Sequence, residues 1–143
     1  MKKIIFVTLI LSIIFLSTAN CFAAIFSENY TDSSPYYVGT RSHEEVFIIS
    51  NSGQATMDVM LKPLNSSAID KVMITLTIKN SSGTTVYNKS YDSAWSNVDG
   101  AYCVIKNYQL ESAGRYTFQA TYKCYKKNTL IETIKSEVIS KSF

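Results

Sequence analysis

Nine residues, Lys71 to Lys79 (KVMITLTIK), constrain the fold of this chain more than any other stretch. Val72, Ile74, Leu76 and Ile78 alternate with Met73, Thr75 and Thr77. An extended backbone puts the first set on one face and the second on the other, whereas a helix would scatter both. The β-branched content suits a pleated surface. Asn80-Ser81-Ser82-Gly83 then reads as a hairpin turn into Thr84 to Ser90 (TTVYNKS), an antiparallel partner for the strand before it.

The same period of two runs through the chain after residue 43, and no window carries a helical period. Glu44 to Ser50 reads as a short strand ended by Asn51-Ser52-Gly53, and Gln54 to Leu61 as a second, closed by Pro63. Asp92 to Gly100 reads as a loop around Trp95. Ala101 to Tyr108, Arg115 to Tyr125 and Leu130 to Ser140 complete the strands, the last two joined by Lys126-Lys127-Asn128. Seven or eight short strands with frequent turns predict an all-β, antiparallel two-sheet sandwich. Ahead of them, residues 25 to 43 are mostly polar and read as an irregular arm in which Tyr36-Tyr37-Val38 pairs at an edge.

Residues 1 to 24 read as a secretory signal peptide: Lys2 and Lys3 precede an apolar run, Ile4 to Leu16, and small residues follow. That run is shorter than the roughly 20 residues a membrane-spanning helix needs. Cleavage is expected after Ala23 or Ala24, leaving residues 25 to 143 as one secreted domain with no stable membrane anchor. A lipoprotein acylated at Cys21 is the lesser alternative, because Asn20 stands where such signals carry Gly, Ala or Ser. Export also changes the charge: losing Lys2 and Lys3 leaves 12 basic residues against 11 acidic ones. A balance that close to neutral makes no case for nucleic acid as a partner.

Residues 104 to 118 (VIKNYQLESAGRYTF) carry the most specific pattern. They resemble the strand E to strand F corner of the immunoglobulin-like fold, where an apolar strand leads to an acidic residue, a glycine and a tyrosine whose hydroxyl bonds back to the corner's backbone. The resemblance makes Ile105 and Tyr108 inward residues, places Glu111 and Gly114 in the corner, and makes Tyr116 the corner tyrosine. Phe118 stands where antibody domains carry the strand F cysteine, and Trp95 falls outside the strand that would carry their core tryptophan. Together with the VMITLTIKNSSGTTVY hairpin and the GRYTFQATY strand, this is similar to small exported β-sandwich proteins of low-GC Gram-positive bacteria, families without an assigned activity. The likeness implies a shape, not a reaction.

The mature chain keeps two cysteines, Cys103 and Cys124, and an even pair in an exported protein predicts a disulfide; two buried free thiols are the alternative. Cys124 shares a face with Phe118, Ala120 and Tyr122, and Cys103 shares one with Ile105, so both are expected inside at similar heights. Closing that loop would stabilise the fold by roughly 3 kcal/mol.

Catalytic chemistry finds little material. His43, the one histidine, stands beside Glu44 and Glu45 and reads as part of an exposed polar turn, with no second imidazole to complete a metal or nucleophile site. Asp92, Asp99 and Gly100 match no calcium loop. No catalytic residue, metal or cofactor is assigned. The one compositional bias is ten tyrosines. Aromatic rings supply broad contact area at low entropic cost, so Tyr36, Tyr37, Tyr87, Tyr91 and Trp95 are the candidate binding residues for a protein or glycan partner. The leading expectation is a non-enzymatic binding or structural module at the cell surface or outside it. The alternatives are a carbohydrate-binding module using exposed Tyr and Trp, or a small secreted enzyme or toxin using carboxylates such as Glu44 and Asp58.

Overall fold

The computed structural model describes residues 37 to 143. The leader, the arm as far as Tyr36 and Tyr36 itself lie outside the described residues. The strands are β1 (Thr40–Ile49), β2 (Gln54–Pro63), β3 (Lys71–Asn80), β4 (Thr85–Asp92), β5 (Ala94–Ser96), β6 (Ala101–Gln109), β7 (Arg115–Lys126), β8 (Thr129–Lys135) and β9 (Ile139–Ser142).

The alternation of β3 sorts as expected: Val72, Ile74, Leu76 and Ile78 are completely buried. β3 lies between β4 and β7, and the second sheet runs β4-β3-β7-β8 with β9 also on β7. The first sheet runs β1-β2-β6-β5. All pairings are antiparallel. The inner faces meet in one core, in which Met57, Val59 and Leu61 of β2 join the β3 residues, Phe118, Ala120 and Tyr122 of β7, and Phe47 of β1. Two sheets with this strand order form an immunoglobulin-like sandwich. Phe118, in the place of the antibody cysteine, stacks on Phe47 with ring centroids 5.1 Å apart.

The corner forms as the resemblance implies. Tyr116 is buried, and its hydroxyl donates to the Ser112 carbonyl at 2.7 Å. Gly114 and Glu111 are exposed in the corner itself. At the neighbouring β1–β2 turn Gly53 sits at φ 81°, the left-handed region that favours glycine, and its carbonyl accepts the Leu110 N–H at 2.9 Å.

Several expectations are corrected. Among the described residues there are nine strands: the expected Asp92 to Gly100 loop contains β5, and the expected Leu130 to Ser140 strand is broken into β8 and β9. The break is a bulge, because Thr121 pairs with Lys135 and Phe118 with Ile139, leaving three residues opposite two. Ser136 fills it, accepting the Ala120 N–H on its Oγ at 2.9 Å. β1 starts at Thr40, so the end of the expected arm is strand.

The disulfide is also corrected, because Cys103 and Cys124 are free thiols. The inward residues of β6 are Tyr102 and Val104, both buried, while Ile105 is 58% exposed. Cys103 shares parity with Ile105 and therefore faces outward from the first sheet, whereas Cys124 is fully buried between the sheets. A bridge would require Cys103 to turn through its own sheet.

Candidate functional site

The outer edges of the two sheets approach each other along two flanks of the sandwich, and the chain's aromatic and polar chemistry collects there. The first flank lies between β4 and β6. Tyr87, Lys89 and Tyr91 pair with Ile78, Leu76 and Ile74, whose side chains are buried, so all three point to the inner side of the second sheet. Val104, Lys106 and Tyr108 pair in the same way with Val59, Met57 and Ala55 and point to the inner side of the first.

The two rows meet. The Tyr87 and Tyr108 rings lie 4.8 Å apart, and the Tyr87 and Tyr91 hydroxyls share a hydrogen bond of 2.5 Å. Lys106 Nζ stands 4.9 Å from the Tyr91 ring centroid, and Lys89 Nζ 5.8 Å from that of Tyr87. At exposed sites such cation–π contacts contribute about 0.5–1 kcal/mol each. Burial, then the bond to Tyr91, pushes the Tyr87 hydroxyl far above the usual phenol range, so it stays a neutral hydrogen-bonding group.

Trp95 closes one end of this flank. It pairs with Tyr102 across β5 and β6, rests edge-on against that ring at 5.0 Å and remains 40% exposed. β5 then stops: it covers β6 only from Ala101 to Cys103, and no strand covers Val104 to Gln109 on that side among the described residues. A cavity of about 190 Å³ opens where β5 ends, bordered by Tyr91, Ala94, Cys103, Ile105 and Lys106 among others. A second, of about 280 Å³, lies at the far end beside Val86, Tyr108, Glu111 and Tyr116.

The opposite flank, between β1 and β7–β8, is polar. His43 is not in an exposed turn but on β1, its ring 5.6 Å from that of Tyr122 and 6.2 Å from that of Tyr37. Its Nδ1 lies 2.8 Å from Glu45 Oε1, which also accepts the Tyr122 hydroxyl at 2.6 Å. The hydrogen bond to Glu45 raises the His43 pKa above the usual imidazole value, against the opposing effect of burial. Thr40 continues the seam, donating to Glu132 Oε2 at 2.8 Å. This cluster ties β1 to the second sheet, and among the described residues no Ser or Cys is hydrogen-bonded to His43.

Of the five candidate aromatics, Tyr87, Tyr91 and Trp95 share the first flank, Tyr37 lies on the second, and Tyr36 is outside the described residues. The sequence reading missed Lys89 and Lys106, and named Tyr108 as an inward residue without its part in this flank, although Tyr87-x-Lys89-x-Tyr91 is a one-face pattern on a strand. Glu44 and Asp58 lie on the outer face of the first sheet, opposite Met60 and Val46, and line neither cavity. Asp92 instead pairs with Lys71 at 3.0 Å, and Asp99 accepts a bond from Ser96 at 2.7 Å. Searches of protein-family models and of curated proteins find no match to this chain.

Proposed function

We propose that the chain is an exported, non-enzymatic binding module that acts at the cell surface or outside it and engages its partner through the flank between β4 and β6. The observation that carries this reading is the convergence there of Tyr87, Tyr91, Tyr108 and Trp95 with two lysines, between two cavities. Export rests on the leader pattern at residues 1 to 24; N-terminal sequencing of protein from the medium should begin at Ala24 or Ile25.

Carbohydrate binding by a planar aromatic strip has less support, because Tyr87 is only 7% exposed and its hydroxyl is engaged by Tyr91, leaving Trp95 as the most open ring of this flank among the described residues. The test uses the fluorescently labelled secreted chain on intact bacterial cells, in parallel with a glycan pull-down. Saturable attachment to cells that falls on Lys106→Gln and Trp95→Ala substitution is expected. Attachment untouched by both changes would remove the flank from the account, and glycan capture lost only in Trp95→Ala would favour the carbohydrate reading.

A further inference from the structure

The edge strands of a sandwich present unpaired N–H and C=O groups, and most edges here are interrupted. β1 is bulged near Arg41, between the Thr40 and Ser42 pairings. β4 is bulged at Val86, where pairing passes from Tyr87 to Thr85. The β8–β9 edge is broken twice, near Ile131 and at Ser136–Val138. β6 differs. Its register with β2 runs without a shift from Leu61↔Tyr102 to Gln54↔Gln109, and beyond Cys103 its other side has no partner strand among the described residues. Val104 to Gln109 is therefore a straight open edge of about 20 Å, at roughly 3.3 Å per residue.

Charge decides what can occupy it. A strand added to this edge alternates its side chains, and those on the inner side enter the groove lined by Tyr91, Tyr108, Lys89 and Lys106. Neither lysine forms an ion pair among the described residues. The acids bordering the groove stand at its ends, Asp92 beside one cavity and Glu111 beside the other. A neutral strand would cover the Lys106 ammonium without a partner, whereas a central carboxylate would pair it.

We propose that β6 receives an extended acidic peptide of a partner protein as an added strand, continuing the line of β5, with one inward carboxylate held by Lys106 and Lys89. Apolar side chains two residues to either side of that carboxylate enter the cavities of about 190 and 280 Å³. The inference rests on the flank being a binding surface and adds the chemistry of what it binds.

The probe is a fluorescein-labelled Thr-Val-Thr-Glu-Thr-Val-Thr peptide, with Gln and Lys versions at the centre and two versions N-methylated on alternate residues. Fluorescence anisotropy on the secreted chain should show saturable binding of the Glu peptide, at least about tenfold weaker binding of the Gln peptide, and none of the Lys peptide. Substituting both lysines, Lys89→Gln with Lys106→Gln, should bring the Glu and Gln peptides to equal affinity, with the variant's fold verified by circular dichroism. Binding should slow hydrogen exchange within residues 104 to 109, and one of the N-methylated pair should lose affinity. No binding of the Glu peptide, equal affinity of Glu and Gln peptides for the unsubstituted chain, or indifference to both methylation patterns would overturn the proposal. If peptides fail while cell attachment still depends on Lys106, the ligand class falls and the binding-module reading stands; if both fail, both fall.

Discussion

Glu45 is a carboxylate turned into the sandwich from an edge strand, and two donors meet at its Oε1, His43 Nδ1 at 2.8 Å and the Tyr122 hydroxyl at 2.6 Å. Tyr122 is fully buried, so Tyr122→Phe removes a charge-assisted bond without opening much space. The expected loss is about 1.5–3 kcal/mol, read from urea unfolding. His43 adds a pH dependence whose sign follows from its raised folded-state pKa. The imidazolium is favoured in the folded chain, so its stabilisation is fully present below the unfolded value of about 6.5 and is lost as pH rises through the folded value. The groups facing it are Glu45, Tyr122 and Tyr37, with Glu137 adding a longer-range attraction. The urea midpoint should therefore fall between pH 6 and pH 8.5, and His43→Gln should flatten that fall. The thiols separate by burial: Cys124 is sealed in the core with its pKa pushed up to about 11, while Cys103 is partly open on the outer face. Alkylation of the native protein should modify Cys103 alone, with Cys124 reacting only after unfolding; mass spectrometry of the two states reads this directly.

Among the elements, β3 and β7 were legible because each alternates strictly and buries its apolar face against the opposite sheet. The corner after β6 was legible for a different reason, since a tyrosine after an exposed glycine has a specific backbone bond to make. Tyr116→Phe tests it and should cost about 1 kcal/mol in unfolding free energy, with the near-ultraviolet spectrum of the core otherwise kept. The corner resemblance made Ile105 an inward residue, but β6 turns Ile105 outward and points Lys106 inward onto an open flank where its ammonium reaches water over the Tyr91 ring. That inversion carried Cys103, which shares parity with Ile105, to the wrong face and left the disulfide expected from an even cysteine pair geometrically plausible. β1 was shortened for a similar reason: His43 and Glu45 occupy inward positions, so the apolar alternation disappears exactly where polar groups bond across the sheets. β5, at three residues, is too short to show any period.

For the molecule as a whole, the flanks are the weak places of the architecture, because a sandwich unlike a closed barrel leaves edges that can pair with another copy. Bulges interrupt β1, β4 and the β8–β9 edge, and inward charges mark three strands: His43 and Glu45 on β1, Lys89 on β4 and Lys106 on β6. On the straight edge of β6 the whole burden falls on lysine, whose stem can lie along the tyrosines while its ammonium resists burial under an uncharged strand. One side chain then serves two ends: it repels the self-pairing that a flat edge invites, and it admits a strand that brings a carboxylate. Lys89→Val with Lys106→Val removes the charges while keeping β-forming, inward-facing side chains beside Ile74, Leu76 and Met57. The doubly substituted chain should remain folded by circular dichroism and yet self-associate, with dimers or larger species in sedimentation velocity at concentrations where the parent sediments as a smaller species. Restoring lysine at 106 alone should reverse most of that association, because residue 106 stands on the long uninterrupted edge left open beyond β5 among the described residues.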